Sequence, residues 1–357
     1  MPTSLSVHGP ILAIMKRIAA VLVILLMAVL IVPTVSAHAF LGAGSNESLE
    51  TAMVIPDPTK SWAIYAELHE GGEAQYYVFN LGQGERIHIS LLTTTAAEDG
   101  DFTPGVILMG PGVPAEGFVP SYVEIPAGAG ILALNGTRPA QATYEAFAPS
   151  SFLQLADISM DAPASGTYYV AVQEPNRGGH YGLAIGDRES FTLSEWLLTP
   201  FSLLSVYEWE RQSLPLVLLP MLVTAALGLV LLVLRHREGR RLDTTGWTGA
   251  VAGLLFLGTG ATVLSQMILS LSRSSLDAFA IVTLVFAILP IVLGLLTMRL
   301  VLRHSEHWTL RSRLYLIVIG GGALVAWAGF VIGPILAIAA AVLPSKAPHT
   351  STSEVEA

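Results

Sequence analysis

Residues Thr192–Arg241 read TLSEWLLTPFSLLSVYEWERQSLPLVLLPMLVTAALGLVLLVLRHREGRR, and the fold of the chain turns on them. An aromatic, Glu-bearing opening leads into 21 uncharged residues, Leu214 to Leu234, and these end at Arg235, Arg237, Arg240 and Arg241. About 20 apolar residues suffice for a helix to cross a hydrocarbon core, and arginines gathered at one end mark the cytoplasmic side. The chain before this stretch has the pattern of a secreted β domain, and the chain after it that of membrane helices.

Composition agrees. Of 357 residues, 52% are hydrophobic and only 13% charged, too apolar for an ordinary soluble protein. The net charge of −9 is unevenly spread, because residues 38–190 carry 18 Asp and Glu against five Lys and Arg. Such an outer domain repels nucleic acid and anionic lipid, so no nucleic-acid partner is expected. The absence of cysteine excludes disulfides, thiolate metal sites and a Cys nucleophile, and leaves an exported domain to be held by its core alone.

Residues 1–37 combine Lys16-Arg17, an apolar run Ile18–Val32 and the small-residue ending Val35-Ser36-Ala37. This reads as a cleaved secretory signal, with an uncleaved anchor of the same orientation as the alternative. Residues 38–190 read as the extracellular domain. From Ser61 to Gly186 apolar residues recur with period two between Gly and Pro, which predicts strands at 61–68, 74–81, 85–93, 105–109, 130–134, 152–159, 166–173 and 180–186. Ile87, Ile89 and Leu91 share one face of theirs, Arg86, His88 and Ser90 the other. Short strands of this kind predict an antiparallel all-β sandwich of jelly-roll type, with Asn80–Gly84 and Glu174–Gly179 as hairpin turns.

Tyr76–Leu91 (YYVFNLGQGERIHISL), the acidic Glu98-Asp99-Gly100-Asp101 and Ser165–Val172 (SGTYYVAV) followed by Gly179–Ile185 (GHYGLAI) together resemble the bacterial and archaeal pre-peptidase C-terminal domain. The resemblance covers roughly residues 66–186. It implies a small secreted β-sandwich of an archaeal or bacterial cell envelope, a fold commonly appended to exported enzymes and adhesins; it implies no activity. Residues 111–150 are an insertion relative to that pattern.

Residues 191–212 read as an amphipathic juxtamembrane segment. Thr192 and Glu195 form a capping box that starts a short helix, and Trp196, Phe201, Tyr207 and Trp209 place amphipathic rings where lipid headgroups would lie, as membrane-interface anchors. Within 213–343 the apolar runs predict a four-helix transmembrane bundle with spans at about 214–234, 247–271, 278–297 and 314–343, the last kinked by Pro334 or lying partly in the interface. The loops at the basic ends hold eight arginines and the loop between the second and third spans one, so the domain and the C-terminus are both expected outside. The polar tail, 344–357, is expected to be disordered.

The four spans contain no Asp, Glu, Lys, Arg or His, which argues against an ion-coupled transporter. Gly249-x-x-x-Gly253 and Gly329-x-x-x-Gly333 let helices approach closely, either within the bundle or against another chain. In the outer domain His38 would be the mature N-terminus, offering an amine and an imidazole to copper, and its Ser-Ala-His-Ala-x-Leu context resembles the start of copper-resistance C-type proteins. His69, His88 and His180 are the candidate partners of that ion, with His180 read as lying in a loop and the freest to move. Asp99 and Asp101 form an acidic turn that suits Ca²⁺. Asn46 and Asn135 open glycosylation sequons. No catalytic constellation is present: there is no nucleophile elbow, zinc-protease motif or phosphate-cradling glycine loop.

The sequence therefore predicts a multi-span cell-envelope protein, anchored in the bilayer, that displays a β-sandwich for binding a ligand, a glycan or a protein partner. Copper handling through His38 and service as an accessory subunit of a membrane complex are the alternatives.

Overall fold

The structure, a computed structural model, describes residues 39–42, 44–303 and 308–344. The expected signal segment, His38 and the tail from residue 345 on lie outside the described residues. The chain divides into two compact units: a β unit of Val35–Val217 joined by Gln266–Ala280, and a helical unit built from Leu218–Ser265 and the chain from Ile281 onward.

The strands are β1 (Ala39–Phe40), β2 (Met53–Val54), β3 (Trp62–Leu68), β4 (Glu73–Leu81), β5 (Arg86–Thr94), β6 (Gly105–Gly110), β7 (Gly130–Leu134), β8 (Thr143–Glu145), β9 (Ser150–Asp161), β10 (Gly166–Glu174) and β11 (Gly179–Ile185). All eight expected strands are among them, within about two residues of the expected limits. They form a six-stranded sheet, β1-β3-β11-β5-β9-β8, and a five-stranded one, β2-β4-β10-β6-β7. Both sheets are mixed rather than purely antiparallel, because β1 runs parallel to β3 and β2 parallel to β4.

The two expected hairpins are corrected. Asn80–Gly84 joins β4 to β5, and Glu174–Gly179 joins β10 to β11; in each case the chain passes from the five-stranded sheet to the six-stranded one. Gly84 does take φ +82, but a glycine that permits a reversal does not say which sheet the next strand joins.

The apolar faces meet between the sheets. Ile87, Ile89 and Leu91 are at most 2% exposed and pack in one cluster with Ile64, Val170 and Leu183, each contributing roughly 1.5–3 kcal/mol by burial. The buried tyrosine hydroxyls of the core have partners. Tyr181 Oη donates to Gln75 Oε1 at 2.6 Å, so the 2.5 Å bond between Tyr77 and Tyr181 has Tyr77 as donor. Burial pushes the Tyr77 hydroxyl up to about 12. Close packing makes Gly110 obligatory, since a Cβ there would lie 2.2 Å from the Tyr168 ring. The insertion folds back on the outer face of the five-stranded sheet, where Val119, Tyr122 and Val123 cover Ile107, Met109 and Ala171.

The helices are α1 (Leu193–Trp209), α2 (Leu214–Arg237), α3 (Thr244–Arg273), α4 (Ala280–Arg303), α5 (Leu310–Val325) and α6 (Ile332–Val342). Leu214–Arg237, Thr244–Leu271 and Ala280–Arg303 are long and apolar enough to cross a membrane. The expected fourth span is two helices, so the four-helix bundle gives way to three long helices and a hairpin. The break between α5 and α6 has Trp327, Gly329 and Phe330 at φ 52, 69 and 55. Arg313, near the start of α5, donates Nη1 to the carbonyls of Ala341 and Leu343, both at 2.7 Å, so the end of α6 returns beside the start of α5. Pro334 kinks nothing; it lies in the first turn of α6, where a missing N–H costs little.

The small-residue motifs are absorbed within the helical unit. A Cβ on Gly249 would meet Val301 at 2.9 Å, one on Gly253 would meet Met298 at 3.1 Å, and those on Gly329 and Gly333 would meet Phe256 at 2.9 and 2.7 Å. The Gly329 N–H, freed by the break, donates to Thr259 Oγ1 at 2.8 Å.

Candidate functional site

The most elaborated polar constellation of the β unit is the seat of α1 on the six-stranded sheet. Its start is the expected capping box: Thr192 Oγ1 accepts from the Glu195 N–H and the Glu195 side chain accepts from the Thr192 N–H. Glu195 also pairs with Lys60 at 2.6 Å. Burial opposes ionisation of Glu195, but the bonds from Lys60 and Thr192 prevail and hold its carboxyl below the usual range.

The other end of α1 is locked more firmly. Trp209 Nε1 donates to the Tyr181 carbonyl at 2.9 Å, and its ring lies 4.9 Å from that of Tyr65. Gly182 leaves the room required, since a Cβ there would lie 2.3 Å from Leu92 and 3.5 Å from Trp209. His180 Nδ1 bonds the Trp209 carbonyl at 2.6 Å; a carbonyl only accepts, so this nitrogen carries a proton. His180 Nε2 lies 3.3 Å from Glu67. Arg211, at φ 63, reaches Asp99 at 3.2 Å and Glu67 at 3.5 Å. Glu210, only 3% exposed, accepts from the Ser151 N–H at 2.9 Å and from Gln212 at 2.8 Å.

This seat revises several expectations. Tyr207 and Trp209 are 4% and 7% exposed, buried in protein, so neither is a membrane-interface anchor. Phe201 remains exposed, and Trp196 is half-buried against Phe191. His180 belongs to β11, not to a mobile loop, and both its ring nitrogens are engaged. Asp99 is 1% exposed and its oxygens accept from Thr94, the His180 N–H and Arg211, whereas Asp101 is exposed and paired with Arg177. The two aspartates therefore face different partners rather than one ion. Among the described residues, no three His, Asp or Glu side chains converge on a common metal position. His88 stands between Asp157 and Asp187, and His69 beside Glu73. Asn46 is 2% exposed with its amide donated to the Tyr76 carbonyl, which closes that sequon in the folded domain; Asn135 is exposed.

Two buried carboxyls lie close to the seat. Burial pushes Glu210 up to about 7 against the bonds from Ser151 and Gln212, and pushes Glu145 up to about 7 against those from the Phe147 and Ala146 N–H groups. Burial and the nearby glutamates raise Tyr65 and Tyr207 as well.

Across the β unit, a hollow of about 390 Å³ is lined by Glu47, Glu70, Glu73 and Glu124 with Tyr76 and Tyr122. Burial opposes ionisation of Glu73, yet bonds from Gln75, His69 and Glu70 hold it below the usual range. Glu124 accepts from the Leu49 N–H at 2.8 Å, and Tyr122 donates to Gln173 at 2.5 Å. Glu73 and Glu124, held by these bonds beside Tyr122, suit a ligand bearing an amine or many hydroxyls. Nothing local foretold this hollow, because Glu124 and Tyr122 reach it from the insertion.

No family model matches the chain, and no curated protein matches it. Among solved structures, "pT26-6p" aligns with 79% of this chain and 49% of its own, at 9% identity and a TM-score of 0.14. The chain thus spans about half the length of that protein, and the likeness is too slight to bear on fold or function.

Proposed function

We propose that this chain is an exported, membrane-anchored binding protein of a cell envelope, displaying a pre-peptidase C-terminal-like sandwich outside the bilayer to hold a ligand, a glycan or a protein partner. The observation that carries this reading is the seat of Trp209–Gln212. The buried Trp209, the His180–carbonyl bond and the Arg211–Asp99 pair make this stretch part of the sandwich's own fold rather than a loose linker, which supports a domain built to present a fixed surface. The Tyr-lined acidic hollow is the surface we assign to the ligand. Gly249, Gly253, Gly329 and Gly333 are occupied within the helical unit, which lends the accessory-subunit alternative less support.

The arginine-rich ends of α2 and α4 support a sandwich outside the bilayer. The α5–α6 hairpin turns the chain back beside Arg313, which supports a C-terminus on the inner side rather than outside. The absence of cysteine makes the test clean. Single cysteines at Glu50, Glu238 and Ser353 would be probed on intact cells with a membrane-impermeant maleimide. E50C should react at once, and E238C and S353C only after permeabilisation. Protection of E50C on intact cells would overturn the display reading, and immediate reaction of S353C would overturn the inward C-terminus.

A further inference from the structure

We propose that the β unit binds a phosphate-bearing anion in a second hollow, of about 470 Å³, between Arg138 and Arg273. Its wall also includes Thr95, Gln141, Ser272 and Ser275, and no carboxylate. In a domain with 18 acids to five bases over residues 38–190, two guanidiniums on one acid-free wall are out of keeping with their surroundings. Guanidinium forks and hydroxyls are the groups that recognise phosphate oxygens.

Neither arginine is neutralised by an ion pair among the described residues. Arg138 is half-buried and donates Nη1 to the carbonyls of Asp99 and Phe102, at 2.9 and 3.5 Å; these orient the side chain and leave its charge uncompensated. Arg273 is exposed and makes no hydrogen bond among the described residues. The opposing field is weaker. The C-terminus of α3 contributes about half a negative charge, and Ser272 and Ser274 already donate to its carbonyls at Leu269 and Ser270, at 2.6 and 2.9 Å. Burial raises the Glu210 carboxyl to about 7 against a pull from Arg273, and Glu210 is not among the residues lining the hollow. The walls are fixed to each other, because Ser270 Oγ donates to the Pro149 carbonyl at 2.8 Å and Ala142 bridges Ser274.

Ser272–Ser275 directly follow the apolar segment Thr244–Leu271. Chain continuity alone therefore sets the hollow within a few residues of the headgroup layer, whichever side of the membrane that is. The ligand is a phosphate with net negative charge, supplied either by an anionic lipid headgroup or in free form.

The test uses the full chain reconstituted in nanodiscs. Phosphatidylglycerol retained by the protein after extraction from a mixture with phosphatidylcholine would be counted by native mass spectrometry, and inorganic phosphate would be titrated by isothermal calorimetry in phosphatidylcholine discs. R273Q removes no hydrogen bond among the described residues but takes a charge from near Glu210, and R138Q also loses the carbonyl contacts, so both would be checked by thermal unfolding first. Preferential retention of phosphatidylglycerol that falls about tenfold in R273Q identifies a headgroup site, since a charge-assisted hydrogen bond carries about that factor. Phosphate binding in phosphatidylcholine discs that weakens about tenfold in R273Q identifies a site for a free phosphate. Absence of both, or binding equal in wild type and R273Q, overturns the proposal.

Discussion

Glu210 takes a hydrogen bond from a backbone N–H and another from an amide, yet burial outweighs both and raises its carboxyl to about 7 from an ordinary 4.5. The folded state therefore prefers the neutral acid. Below about pH 4.5 the group is protonated folded or unfolded, and its favourable contribution is complete. Between about 4.5 and 7 the unfolded chain ionises first and the contribution is lost, by roughly 3 kcal/mol for a shift of 2.5 units. Glu145 acts in the same sense. Asp57, Glu73 and Glu195, held low, contribute in the opposite sense and lose their effect only under more acidic conditions. Thermal unfolding of the full chain should thus show greater stability near pH 5.5 than at pH 8. E210Q, whose amide oxygen still accepts from Ser151, should narrow that difference mainly by raising stability at pH 8. An unchanged difference in E210Q would place the effect elsewhere. The sequence shows the Glu but not its burial, because Ser151 and Gln212 come from different elements.

Two elements separate what local pattern conveys from what it does not. Aromatic rings beside a membrane span look the same whether they face headgroups or a protein surface, so Trp209 was legible as an anchor but not as one set into β11. Replacing it leaves a void and strands the Tyr181 carbonyl, so W209A should destabilise the β unit by about 3–5 kcal/mol and open the Glu208–Ser213 region to protease. W196A, at a half-buried ring, should do neither. The α5–α6 hairpin is the second case. Residues 314–343 are apolar almost throughout, and hydropathy carries no signal for a reversal inside such a run; the glycine at 329 was read as a packing residue. It is both, for its φ is +69 and a Cβ would stand 2.9 Å from Phe256. G329A should therefore cost at least about 1–2 kcal/mol in a detergent unfolding assay. G321A, with nothing within 4 Å of the added carbon, should be neutral or stabilising by up to about 1 kcal/mol. Equal effects would mean that the reversal at Gly329 is not required.

At the scale of the whole molecule, the eight longer strands were legible because period-two burial on a sandwich is a local property, whereas β1, β2 and β8 span only two or three residues and have no period to read. The limits of the β unit were not legible at all. Apolar runs suggested a domain ending at residue 190 and a separate linker, but the compact unit continues to Val217 and takes in Gln266–Ala280, more than 48 residues further along the chain. That distant segment supplies the Ser270–Pro149 hydrogen bond and the Ala142–Ser274 bridge, and Arg273 acts on Glu210. A soluble fragment of residues 39–212 therefore lacks a piece of its own fold. Losing one buried hydrogen bond and its neighbouring contacts corresponds to about 1–2 kcal/mol, or roughly 3–8 °C in a domain of this size. The fragment should melt that much below the β unit of the full chain, followed by the same tryptophan signal. If the full chain carries S270A, which removes the hydroxyl that bonds Pro149 and leaves the backbone bridge between Ala142 and Ser274, part of that gap should close. A fragment as stable as the intact β unit would mean that Gln266–Ala280 only rests against the sandwich.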